Sequence, residues 1–126
     1  MQNAGASAEI INCTFTENTA TNYGGAVEQN NNVTDGALKI VNTTFMNNAA
    51  KGGGALLTWM GDVTVENCSF EHNEATGTSG GAWYASLKDA VTYKVAGCYF
   101  GENLSAAHGG AILSTSKNAT FTNCTF

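Results

Sequence analysis

Cys13, Cys68, Cys98 and Cys124 each stand two residues before a phenylalanine, and thiols in so regular a setting are the first groups to weigh for chemistry. An even number of cysteines in a secreted chain invites a disulfide reading. If the four lie over one another on parallel strands, their β-carbons sit near the strand spacing of ~4.8 Å, wider than the ~3.8 Å that a disulfide prefers. The expectation is free, buried thiols acting as small hydrophobes, with a bridge from Cys98 to Cys68 or Cys124 as the alternative. No zinc-ligand set is completed around them, and an inward column offers neither the base nor the exposure that a catalytic thiol needs.

Asp35, Asp62 and Asp89, with Asn118 in the equivalent place, precede successive strand-like runs. Read functionally they form an acidic ladder for calcium or a set of paired carboxylates. Glycosidic chemistry needs two carboxyls converging across a cleft, and calcium repeats carry an Asp in register with paired glycines; neither pattern is present. The Asn118 replacement favours an Asx turn before a strand. His72 and His108 occupy different places in their repeats, with no carboxylate or nucleophile in register. Asn-x-Ser/Thr sequons at Asn12, Asn42, Asn67 and Asn123 adjoin inward-facing positions, which reads as poor placement for a glycan. No catalytic, cofactor-binding or metal-binding residue is assigned, and the chain reads as a non-enzyme without a cofactor.

What must position these residues is a repeat. Asn-[Cys/Thr]-[Thr/Ser]-Phe-x-x-Asn is followed by Gly-Gly-Ala and an apolar residue, the second glycine lying 10, 9, 11 and 10 residues after the phenylalanine. The phenylalanines at 15, 45, 70, 100 and 126 give intervals of 30, 25, 30 and 26 residues. Self-similarity at such a period marks a stacked, one-dimensional fold. Leu38-Lys39-Ile40, Val63-Thr64-Val65 and Ala119-Thr120-Phe121 alternate with period two, as strands do. One repeat cannot bury its own apolar face, so each must lie on the next.

The architecture expected is an all-β, right-handed parallel β-helix of about four to five coils, each with three short strands. It places side-chain ladders along one axis: Phe15, Phe45, Phe70, Phe100 and Phe126; Cys13, Thr43, Cys68, Cys98 and Cys124; and Asn18, Asn48, Asn73 and Asn103 at a bend. Ile10, Ile40, Val65, Val95 and Phe121 line the interior, as do Val27, Leu56, Trp83 and Ile112. The paired glycines mark the other bend.

Repeats of Phe-x-x-Asn with Gly-Gly-Ala-[Ile/Leu/Val] resemble those of the chlamydial polymorphic outer-membrane proteins and related adhesin-like proteins. The four Phe-x-x-Asn sites match one motif and the four Gly-Gly-Ala sites the other, with Trp83 departing from an aliphatic residue. The likeness covers nearly the whole chain. It implies secretion, a cell-surface location as an autotransporter passenger or stalk, and adhesion to a protein or glycan on a host or neighbouring cell.

Composition agrees and bounds the rest. Ten acidic residues against five lysines give a net charge of −5, with no proline and 12% charged residues. The lysines are scattered, so no basic footprint for nucleic acid exists. No apolar run is long enough to span a membrane as a helix, and Met1 to Ala8 lacks the features of a signal peptide. Residues 1–126 read as a single segment of a longer repeat protein.

A candidate contact surface comes from the residues that follow the inward apolar column. Leu57, Tyr84 and Leu113 point outward with Glu28, and Trp59 extends the row, an apolar patch of the kind that marks interfaces. Open coil ends suggest end-to-end self-association, and a self-assembling filament is one alternative to the adhesin reading. A pectate-lyase-like carbohydrate-active enzyme is another. The charged outward column Glu9, Lys39, Thr64, Lys94 and Thr120 disfavours an ice-binding array.

Overall fold

The computed structural model describes residues 1–3, 6–30, 36–59, 61–85 and 91–126. All its strand pairs are parallel, and successive coils contribute to four sheets. The first sheet takes Ala8–Ile11, Leu38–Val41, Val63–Glu66, Tyr93–Ala96 and Ala119–Thr122. The second takes Thr14–Thr16, Thr44–Met46, Ser69–Glu71 and Tyr99–Gly101. The third holds the two-residue strands Ala49–Ala50, Glu74–Ala75 and Leu104–Ser105. The fourth takes Gln2–Asn3, Val27–Gln29, Leu56–Thr58, Trp83–Ala85 and Ile112–Ser114.

Four strands per coil, rather than three, follow from one extra bend. Asn12, Asn42, Asn67, Gly97 and Asn123 all have φ between 50° and 62°, the left-handed region that only Gly and Asn enter at low cost. The chain turns there, so Cys-x-Phe opens a second strand instead of closing the first. A second left-handed column, Glu17, Asn47, His72 and Glu102, sits just before the ladder asparagines. The first glycine of each pair supplies the third, with φ of 60° to 74° at Gly24, Gly53, Gly80 and Gly109.

The second glycine of each pair answers to close approach. A Cβ on Gly25, Gly54 or Gly81 would overlap the carbonyl oxygen of Gly54, Gly81 or Gly110 in the next coil. A Cβ on Gly110 meets only the Asn103 carbonyl, at 3.4 Å.

The interior is a set of columns. Ile10, Ile40, Val65, Val95 and Phe121 are in register in the first sheet, and Val27, Leu56, Trp83 and Ile112 in the fourth. The five phenylalanine rings stack at centroid distances of 5.0, 4.7, 4.8 and 5.1 Å, within 6° of parallel. Phe45, Phe70 and Phe100 are buried, while Phe126 is 67% exposed in the last coil. Each fully buried ring contributes roughly 1.5–3 kcal/mol. Trp83 fills the same space as the aliphatics of its column because its Nε1–H donates to Thr58 Oγ1 at 2.9 Å and its ring meets Tyr93 edge-on at 5.6 Å. Gln29 is the exception in this interior: its amide is buried without a hydrogen-bond partner among the described residues.

Candidate binding faces

The asparagine column is spent on structure. Asn73 Oδ1 accepts from both the backbone N–H and the Nδ2 of Asn48, each at 3.0 Å. Asn73 Nδ2 in turn donates to Asn103 Oδ1 and to the Phe45 carbonyl, also at 3.0 Å. Asn18 and Asn48 repeat the scheme one coil back, so each inner amide leaves no polar atom for a ligand.

The thiol column is spent likewise. All four cysteines are free, with Cys68 and Cys98 buried and Cys13 and Cys124 half-buried. Cys68 Sγ donates to the Glu66 carbonyl at 3.2 Å and Cys98 Sγ to the Ala96 carbonyl at 3.3 Å. Thr43 makes the equivalent bond to the Val41 carbonyl at 3.0 Å and accepts from the Cys13 N–H, which explains why Thr and Cys interchange here. The Cys68 sulfur beside it, then burial, push the Cys98 thiol far above its ordinary value, so the pair holds at most one negative charge. Cys68 and His72 lie four residues apart in sequence, but the thiol faces the interior and the imidazole is exposed.

On the outer side of the fourth sheet, Glu28, Leu57, Tyr84 and Leu113 are neighbours in register. Leu57 corrects the expected exposed row: it is 1% exposed although it lies outside the central core cluster. Glu28 and Tyr84 flank it in the ladder, and the Tyr84 ring leans toward Tyr23 at 6.3 Å. Tyr23, carried on the stretch before the glycine pair, had no pattern to reveal it. Tyr84 and Leu113 are half-buried and Trp59 is 41% exposed. The surface that remains is an aromatic one of Tyr23, Tyr84 and Trp59, with Leu113 at its margin.

The outer side of the first sheet carries a second feature. A shallow recess of about 180 Å³ is lined by Asp62, Val63, Thr64, Thr92 and Lys94. A neighbouring one of about 320 Å³ is lined by Glu66, Lys94, Val95, Ala96, Thr120 and Thr122. Lys94 is common to both, with a carboxylate on either side. Asp62 Oδ1 also accepts from the Thr92 N–H at 2.8 Å, tying one coil to the next. Sequence reasoning placed Asp62 in a turn and overlooked Glu66, whose position opposite Ala96 and diagonal to Lys94 becomes meaningful only once the register is known.

Residues 1–126 match the family model for the right-handed β-helix region. The chain belongs to that family. This β-helix is also 34% identical over 120 residues to the metabotropic glutamate receptor-like protein R of Dictyostelium discoideum. That alignment covers 93% of the chain but 7% of the relative's length. No solved structure matches it significantly.

Other candidate groups of the β-helix fall apart or shift. Asp35 and Asp89 lie outside the described residues. His72 does meet a carboxylate in register, contrary to expectation: its Nδ1 lies 3.3 Å from Glu102 Oε2. Both side chains are largely exposed, so the pair adds little. Among the described residues, no cluster of His, Cys, Asp and Glu could hold a metal ion, and no helix is long and apolar enough to cross a membrane. The sequon asparagines correct another expectation. Asn12, Asn42, Asn67 and Asn123 are all exposed at the first bend, on the outside of the wall, while the residues that follow them face in.

Proposed function

We propose that this β-helix is a rigid structural and binding segment of a secreted, cell-surface adhesin, built like the passenger repeats of the polymorphic outer-membrane proteins that it resembles. It acts without catalysis, by contact with a protein or glycan on a neighbouring or host cell. The observation that carries the reading is the contrast across the fourth sheet. Inside, Val27, Leu56, Trp83 and Ile112 keep the row apolar in every coil; outside, the row runs from the charged Glu28 past the buried Leu57 to the half-buried Tyr84 and Leu113, beside an exposed Trp59. An apolar interior specifies the rod, and an exterior of mixed character with accessible aromatic rings specifies a partner. Tyrosine and tryptophan supply rigid contact area that dominates many interfaces. The receptor-like name of the amoebal relative supports a surface setting.

The test is binding of the labelled chain to cells and to a glycan array. Trp59→Ala and Tyr84→Ala are expected to weaken binding about tenfold each, the equivalent of about 1.4 kcal/mol. Undiminished binding by both variants would remove this face from the proposal. A second reading, a pectate-lyase-like action on polysaccharide, is favoured by Asp62 and Glu66 on either side of Lys94 in an open recess. Release of reducing ends from acidic polysaccharides, abolished by Lys94→Ala, would support that reading instead.

A further inference from the structure

Asn12, Asn42, Asn67, Gly97 and Asn123 form one row along the first bend, one residue per coil. At the strand spacing of ~4.8 Å the row rises by about one such step per coil. Each asparagine is exposed and left-handed, followed by an inward residue and then by Thr14, Thr44, Ser69 or Thr125, all exposed or half-buried. The fold thus turns out both groups that an N-glycosylation sequon requires, the amide and the hydroxyl two residues on. Asn12 and Asn42 touch, Asn42 Nδ2 donating to Asn12 Oδ1 at 3.2 Å. A Cβ on Gly97 would lie 2.6 Å from Asn67 Oδ1, so the Asn67 amide leans over the one coil that has no side chain in the row.

We propose that this row is an N-glycan strip that the folded rod can carry only on alternate coils. The inference rests on the surface setting proposed above together with a eukaryotic source like that of the amoebal relative, since it requires passage through a eukaryotic secretory pathway. The donor is a lipid pyrophosphate-linked oligosaccharide. A bond forms between the asparagine Nδ2 and the anomeric carbon as the carbon–oxygen bond to pyrophosphate breaks, and one amide proton leaves. A pyranose with an N-acetyl arm is wider than one strand spacing, so glycans on touching amides collide. Two coils apart, at about 10 Å, they fit. The set compatible with the fold is Asn12, Asn67 and Asn123, with the glycine at 97 holding the last two apart and Asn42 excluded by both of its neighbours.

Three other sequons differ in kind. Asn103, before Leu104 and Ser105, uses its Nδ2 on the Phe70 carbonyl at 2.8 Å and its Oδ1 on Asn73; a glycan there would break the ladder. Asn118 lies in a turn away from the row, and Asn32 is outside the described residues.

The whole chain, secreted from a eukaryotic host behind an added signal peptide, tests this by intact mass and by site-resolved mapping after enzymatic deglycosylation in heavy-oxygen water. The host supplies secretory passage, so failure here counts against the strip and not against the surface role. The secreted protein is expected to carry glycans on Asn12, Asn67 and Asn123 and essentially none on Asn42 or Asn103. Removing hydroxyls instead of asparagines keeps the bends intact. Thr14→Ala with Ser69→Ala is expected to raise Asn42 occupancy several-fold, which an intrinsically poor sequon would not do. Secreted molecules with Asn12 and Asn42 both occupied, no rise at Asn42 in the double variant, or no glycan anywhere in the row would each overturn the proposal.

Discussion

Asn73 shows how much one side chain can hold. Replacing it with alanine strands two donors on Asn48 and the Phe45 carbonyl, while Asn103 Oδ1 keeps the Asn73 backbone N–H. A buried polar group left unpaired costs about 1–3 kcal/mol, so Asn73→Ala is expected to lower the unfolding free energy by at least about 3 kcal/mol. Asn18→Ala, at an exposed position in the first coil, should cost under about 1 kcal/mol. Urea unfolding of the two variants measures the difference, and equal costs would mean that the ladder is not cooperative. The interior also fixes a pH dependence. Burial raises the Tyr93 hydroxyl, whereas the buried thiol pair shifts in opposite directions, Cys98 up and Cys68 down, and offsets itself. The folded state therefore holds the Tyr93 proton more tightly than the unfolded chain, whose value is ~10. That contribution is complete below about pH 10 and is lost as pH climbs above it. Melting temperature should fall above about pH 10, and less steeply in Tyr93→Phe; an unchanged slope would count against the assignment.

At the scale of strands and bends, the paired glycines separate two kinds of constraint. Gly81 is pressed against Gly110 of the next coil, whereas Gly110 has room for a methyl group. Gly81→Ala is expected to cost about 1–3 kcal/mol through backbone displacement, and Gly110→Ala less than about 0.5 kcal/mol. Thermal melts distinguish them directly. The repeat phrase made the coil legible because identical residues in a ladder must recur at one place in the sequence. The extra bend was not legible: Asn12 and Asn42 follow a period-two run and read as a strand's end, and only their positive φ shows that a new strand starts two residues later. Leu57 was misread for a related reason. Alternation assigns it to the outside, but it is buried between Glu28 and Tyr84, brought to it by coil stacking and not by any local pattern. Lys94, Asp62 and Glu66 likewise share a face only through register between coils.

At the scale of the rod, both ends of the 126-residue chain present ladder residues with no next coil upon them. Leu104, Phe121 and Phe126 are 61%, 40% and 67% exposed at one end, and Phe15 and Asn18 are the outermost members of their ladders at the other. A second copy seated coil on coil would continue the phenylalanine stack from Phe126 to Phe15. Such a contact is heterologous and does not close on itself, so it extends into filaments instead of stopping at dimers. Light scattering should then show a mean mass that grows with concentration. Phe126→Asp discriminates this route from unspecific stickiness, because the ring is 67% exposed in the monomer yet would be the next rung of the stack. Association that vanishes in that variant, with the chain still folded, identifies coil-on-coil docking. A wild-type chain that stays monomeric at high concentration, or a variant that associates equally well, rules it out.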